Sequence, residues 1–391
     1  MFSRRTNWRM DTNRFSQALA EIRAAGAPIF DLTLSNPSRA GLRFDAANIL
    51  TALSSPKVMD YDPQPLGLSS ARAAVIAYYR EHGVEVDPSA VLLTTSTSEA
   101  YSHVFRLLCD PGDEVLVAKP SYPLFEFLAD LQDVKLRGFS LLYDHGWQID
   151  FESLKAQVSD KTRAIVVVHP NNPTGSYVSV EERNALMKIC REQNLGLIVD
   201  EVFLDYGLEE GKAQTFAGSN EALTFVLSGV SKISALPQMK LAWIVTSGPQ
   251  ELRTTALERL EVIADTYLSM NAPVQWAAPV LLEERRSIQP QLMSRVKANL
   301  DELDRQLESH PQCSRLAVQG GWYAVLRLPA VQSDEDLAIA LLREKGVLVH
   351  PGHFYDFPRD GYLVVSLIVP AEEFCLACES LFSWFAQPEL S

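Results

Sequence analysis

Five short apolar runs in this sequence are each followed closely by residues able to do chemistry. Residues 91–95 lead into Ser96-Thr97-Ser98, and 114–118 into Pro120-Ser121-Tyr122. Residues 164–168 lead into His169 and then Asn172-Pro173-Thr174-Gly175. Residues 196–199 lead into Asp200-Glu201, and 224–227 into Ser228 and then Ser231-Lys232. A lysine at a buried sheet edge loses proton affinity and becomes an amine nucleophile, although a solvated Lys232 is the simpler reading. Asp200 closes an apolar run, where an unpaired carboxylate is costly. A protonated ring nitrogen would stabilise it there, as would a helix cap or a salt bridge. Asn172 offers an amide to a phenolic oxygen, or simply shapes a turn. Tyr122 suits a flat heterocycle as a stacking face, and suits a core equally well. Ser96, Thr97 and Ser98 at a helix start bring backbone N–H groups and hydroxyls to a phosphate, or make an ordinary N-cap. The assembly says more than any member of it.

The elements that must hold these groups follow from the same runs. Together with 241–246 they are rich in Val, Ile and Leu and lack polar alternation, the pattern of strands covered on both faces. Amphipathic stretches at 99–108, 180–193 and 251–263 separate them. The fold class is therefore α/β, a mostly parallel sheet flanked by helices, with ligands outside the carboxyl ends of the strands. Composition shifts near residue 285. A charged helix is predicted over 283–309, with Pro290 near its start. Strands are predicted at 323–328, 346–350 and 362–367, with helices at 334–345 and at the C-terminus. This is the pattern of a smaller α+β domain. The N-terminal residues, with a helix at 13–24 and an extended piece at 29–34, are expected to pack on it. The expected division is 46–285 as the large domain, with 1–45 and 286–391 as the small one.

Bulk properties exclude several function classes. A net charge of −14 argues against a broad nucleic-acid surface. No stretch reaches the roughly 18 apolar residues a membrane span needs. The basic N-terminus has no apolar run behind it, unlike a secretion signal. Five scattered cysteines do not form a disulfide framework and point to the cytoplasm. Cys375 and Cys378 lack a second ligand pair, so no metal site is expected.

In order and spacing these residues resemble the class I/II aminotransferases of pyridoxal 5'-phosphate (PLP) fold type I. The resemblance runs through Tyr61-Asp-Pro-Gln-Pro-Leu-Gly67 with Arg72, Thr95–Ala100 in sequence, Pro120-Ser121-Tyr122, Asn172–Gly175, Asp200-Glu201-Val202, Ser231-Lys232 and His350-Pro351-Gly352. It implies a PLP enzyme with the cofactor held as a Schiff base on Lys232, which also shuttles the substrate proton. Asp200 is implied as partner of the pyridine nitrogen, Asn172 as donor to the phenolic oxygen, and Tyr122 as the stacking ring. Ser96, Thr97, Ser98, Ser231 and Lys240 are implied around the phosphate. Tyr61 is implied to reach the neighbouring subunit's phosphate, in a homodimer with shared active sites. The implied reaction is a ping-pong transfer between a small-molecule amino donor and a keto acid.

Three departures qualify that expectation. Phe203 stands where the family commonly has Tyr, and Lys240 where it usually has Arg. Val364 stands where an Arg commonly pairs with the substrate carboxylate, and Arg39, after Ser35-Asn36-Pro37, is the first candidate to replace it. These departures keep open a lyase, decarboxylase or biosynthetic cyclase of the same fold, and more remotely a regulator or binding module. Trp322, Tyr323, His353 and Tyr355 are read either as pocket walls or as core.

Overall fold

The computed structural model describes residues 1–8, 10–209, 211 and 214–385. Its largest sheet has eight strands. From one edge they are Val91–Thr94, Ala242–Ser247, Thr224–Gly229, Gly196–Asp200, Thr162–Val168, Glu114–Lys119, Lys135–Tyr143 and Trp147–Ile149. The five from Thr224–Gly229 to Lys135–Tyr143 run parallel to one another. Ala242–Ser247 runs against both its neighbours.

The six strands from Val91–Thr94 to Glu114–Lys119 are almost wholly buried because helices cover both faces. Alternate residues serve alternate cores, as a period of two requires. Ile165, Val167, Leu197 and Val199 face one side, packed with helices Ser69–Glu81, Val180–Gln193 and Ala272–Glu283. Val166, Val168, Ile198 and Leu227 face the other, packed with Thr97–Leu108 and Gln250–Tyr267. All six predicted strands form, each within two residues of its expected ends. The hairpin Lys135–Ile149 was not anticipated. It forms the sheet edge and its residues are half exposed, so it lacks the apolar run that marks the others.

A four-stranded antiparallel sheet lies in the C-terminal part, in the order Ser314–Arg315, Tyr323–Arg327, Tyr362–Ser366, His350–Pro351. The expected strand at 346–350 is split. Val347–Leu348 pairs in parallel with Phe30–Asp31, while His350–Pro351 joins the other sheet. Phe15, Ala18, Leu32 and Ala40 share one core with Ile288, Trp322 and Val364. The N-terminal segment therefore packs on C-terminal elements. Pro290 lies inside the helix Arg285–Glu308 and does not open it. Its missing N–H costs one bond in the second turn, and the preceding helix Ala272–Glu283 ends only one residue before this one begins.

Candidate active site

The five polar segments meet along one edge of the large sheet. Asp200 is in register with Val168 on one side and Leu227 on the other. Its carbonyl accepts from the His169 N–H at 2.8 Å, and the Glu201 N–H donates to Leu227 O at 2.8 Å. Gly229 and Thr94 both pair with Ala242, from opposite sides. Lys240 precedes that pairing by two residues and is exposed. Lys240 takes up its position with a left-handed φ of 53°, closing the turn Pro237–Met239.

Ser96 caps the helix Thr97–Leu108, its Oγ accepting from the Glu99 N–H at 3.2 Å. Glu99 reaches back to Thr95, accepting from its N–H at 2.6 Å and its hydroxyl at 3.0 Å. The N–H groups of Thr97 and Ser98 have no partner among the described residues, nor do the hydroxyls of Thr97, Ser98 and Ser231. The result is a row of unpaired donors at a helix N-terminus.

Asp200 is buried at its strand end. Its carboxylate accepts from the Val202 N–H at 3.1 Å and from the Tyr101 hydroxyl at 3.1 Å. Burial pushes its pKa up to about 6, against those two bonds and the charge of Lys232. Burial likewise pushes Lys232 down to about 8, against the pull of Asp200. Tyr101 had no place in the sequence reading. It lies on the buried face of the helix one turn past Thr97, and only that spacing hinted at a role.

Lys232 stands in the four-residue helix Val230–Ile233. Its Nζ lies 4.9 Å from the Trp322 ring centre and 5.5 Å from that of Phe203. The two rings meet edge-on at 5.2 Å. Phe203 thus serves as packing beneath the amine. Tyr206 turns elsewhere, donating its hydroxyl to the Lys232 carbonyl at 2.6 Å. Trp322 is fully buried, so it fills the C-terminal core and walls the site at once. Two glycines make this approach possible. A Cβ on Gly175, which has φ +70°, would lie 2.5 Å from Gly320 O, and one on Gly320 would lie 2.7 Å from the Tyr177 ring.

Facing this floor is a neutral, aromatic wall. Tyr122 is 42% exposed, and its hydroxyl is pushed up by burial and by Asp200. Tyr323 hydrogen-bonds Ser35, and its hydroxyl feels Tyr122. The Tyr355 hydroxyl pairs with His350 Nδ1 at 2.9 Å. Burial holds the His350 pKa below the usual imidazole value. Val364 is fully buried between Val325 and His350 in the strand register. His353 is exposed and lines a cavity of about 220 Å³ that Tyr122 also borders. Tyr61 is 85% exposed, on a surface remote in sequence from these strand ends.

The chain matches the family described as "Aminotransferase class I and II" over residues 31–381. It belongs to that family. Among its relatives, a glutamate-pyruvate aminotransferase AlaA of Haemophilus influenzae is 29% identical over 353 residues, which cover 88% of this chain and 87% of that protein. An alanine aminotransferase of Mycobacterium tuberculosis is 27% identical over 376 residues, covering 93% and 87%. The solved structure of an alanine aminotransferase from Pyrococcus furiosus superimposes with a TM-score of 0.87 at 22% identity, covering 99% of this chain and 100% of that one. Class I and II aminotransferases of this fold use pyridoxal phosphate to move amino groups between amino acids and keto acids. The match favours transamination over the elimination, decarboxylation or cyclisation that Phe203 and Val364 left open.

The residues present fit that cofactor. Asn172 is buried and its side-chain amide makes no bond to the described residues, so its N–H₂ is free to donate to a group the protein does not supply. The unpaired donors of Thr97 and Ser98 suit a phosphate, and a buried carboxylate 3.1 Å from the Tyr101 hydroxyl suits a cationic ring nitrogen. Among the described residues, no helix is long and apolar enough to cross a membrane.

Proposed function

We propose that this aminotransferase works through Lys232, Asp200 and Tyr122, with Asn172, Ser96, Thr97, Ser98, Ser231 and Lys240 holding the cofactor. The observation that carries this reading is a buried carboxylate, held by the Tyr101 hydroxyl, on the strand that adjoins the one leading into the half-buried Lys232. Pyridoxal phosphate supplies, when bound, a carbonyl that captures amines and a ring that takes up the electrons of a broken C–H bond. Lys232, with its pKa near 8, is partly neutral at neutral pH. It can therefore attack a carbonyl and later carry the substrate Cα proton. Asp200 keeps the ring nitrogen protonated, and the Tyr101 hydroxyl and Val202 N–H fix its direction. Tyr122 offers its face to the ring. Asn172 donates to the phenolic oxygen without help from position 203, where a hydroxyl is missing.

On the substrate side, Arg39 takes the carboxylate in place of Val364. The segment before it is anchored to the wall, with Leu34 O accepting from Ser366 Oγ at 2.5 Å and Ser35 bonded to Tyr323. Arg39 is exposed, and its guanidinium has no ion pair or hydrogen bond among the described residues. The arginine beside it is engaged, Arg295 donating to Ala40 O at 3.3 Å and to Ile368 O at 3.4 Å.

The enzyme is proposed to act as a cytoplasmic homodimer. The free cysteines and the 85%-exposed Tyr61 and Met59 support this, with Tyr61 serving the partner subunit's phosphate. The division into 46–285 and the remainder is likewise proposed, supported by the separate cores. The decisive experiment is a half-reaction. An amino acid should bleach the visible band of the loaded enzyme, and a keto acid should restore it. If no amino acid bleaches the band, the reading fails.

A further inference from the structure

The turn that carries Lys232 is held from outside by side chains that touch neither the amine nor the carboxylate. Val230–Ile233 is a single helical turn, and its last carbonyls are held unevenly. The Lys232 carbonyl accepts the Ala235 N–H at 3.1 Å, whereas the carbonyl of the fully buried Ile233 has no backbone donor among the described residues. The Lys232 carbonyl also accepts the Tyr206 hydroxyl at 2.6 Å. The Ile233 carbonyl accepts Gln289 Nε2 at 3.0 Å. The same Nε2 donates to Asp205 Oδ2 at 2.6 Å, so both hydrogens of the amide are used. Asp205 is fixed in turn by the Tyr78 hydroxyl at 2.9 Å and His82 Nε2 at 3.1 Å, both on its Oδ1. Its side chain is 7% exposed, so these bonds are not traded freely with water.

We propose that Gln289, oriented by Asp205, is a positioning residue that sets where the Lys232 amine points. The proposal rests on Lys232 being the cofactor lysine. Gln289 lies in the helix Arg285–Glu308, and its neighbour Ile288 packs in the core that holds Trp322 and Val364. One amide thus ties the lysine turn to the wall on the substrate side. Removing it leaves a buried carbonyl unpaired and frees the turn to shift. A displacement near 1 Å at a reacting group costs on the order of 10²-fold in rate.

The test uses the loaded enzyme and two variants. Gln289→Met keeps length and volume but has no donor. Tyr206→Phe removes the other grip alone. Two readouts need no substrate: the midpoint of the spectrophotometric pH titration of the visible band, and the rate of cofactor loss into a trapping amine. Each variant should move the midpoint by about half a pH unit or more and speed cofactor loss roughly 5–10-fold, with far-ultraviolet circular dichroism unchanged. Unchanged midpoint and loss rate in Gln289→Met, with the band intact, would overturn the proposal whatever Tyr206→Phe does, while leaving Lys232 in its role. A visible band that persists in Lys232→Ala would instead overturn the lysine assignment, and this proposal with it.

Discussion

The cofactor side and the substrate side of this site are built in different ways. The first stands on the ends of parallel strands. Asp200, Lys232, Asn172 and Ser96 to Ser98 each follow a buried run within a few residues, and the ladder fixes their spacing. The second is assembled from distant pieces: Ser35 and Arg39 near the N-terminus, and Tyr323, His350 and Val364 from the small sheet. Its Tyr323, His350 and Val364 stand in a short antiparallel ladder, and Ser366 ties the N-terminal segment to it, its N–H donating to Leu32 O at 2.7 Å and its Oγ to Leu34 O, 332 positions apart. A strand end can hold a fixed chemistry, because shifting one residue breaks a ladder. The N-terminal residues of the wall, Ser35 and Arg39, can change without disturbing either sheet, which is where substrate choice can vary.

Substitutions on the two sides should therefore fail differently. Lys232→Ala should cost roughly 10⁴-fold or more in turnover and abolish the visible band. Absorbance spectra and single-turnover assays check both. Asp200→Asn should lower kcat by about 10²–10³-fold while the cofactor still binds. A variant with near-normal kcat would remove Asp200 from the mechanism. Arg39→Ala should instead raise KM by about 10–100-fold and leave kcat within a small factor, with Arg39→Lys intermediate. A fall in kcat at constant KM would place Arg39 outside the substrate pocket and break the contrast between the two sides.

The smallest effect concerns stability. Asp200 titrates near 6 in the fold, above its ordinary 3.8. A folded pKa above the unfolded one gives stability that is present below about pH 4 and lost as pH rises through 6. The cofactor-free protein should therefore lose up to roughly 3 kcal/mol from this group between those limits. Asp200→Asn has no such titration, so the Tm of the wild type should fall relative to that of the variant across that window. Loading the cofactor should abolish the trend, because a cationic ring nitrogen stabilises the charged carboxylate. A Tm difference that stays constant with pH in the cofactor-free protein would show that Asp200 is not the buried acid described here.

Much of the cofactor side was legible because its signal is local. A run of Val, Ile and Leu ending in Asp200, or in Ser231-Lys232, shows both the strand and the group it presents. The hairpin Lys135–Ile149 was not legible, because an edge strand with half-exposed residues carries neither a buried run nor a clean alternation. Pro290 misled, since a proline reads as a helix start until the packing of Ile288 and Leu292 on one core shows the helix passing through it.

The sequence by itself determined the class of sheet, which polar residues follow its strands, and the absence of an arginine at position 364. Those properties depend on residue type and on spacing along one chain segment. Only the tertiary structure decided what surrounds them. Tyr101 meets Asp200 across 99 positions, Tyr206 meets the Lys232 carbonyl across 26, and Gln289 meets the Ile233 carbonyl across 56. Trp322 and Phe203 close beneath the amine only because Gly175 and Gly320 let two loops touch. Such contacts join segments that share no periodicity, so nothing in either segment alone records the meeting. Burial then sets the charges, drawing Lys232 and Asp200 toward neutrality by the same loss of water.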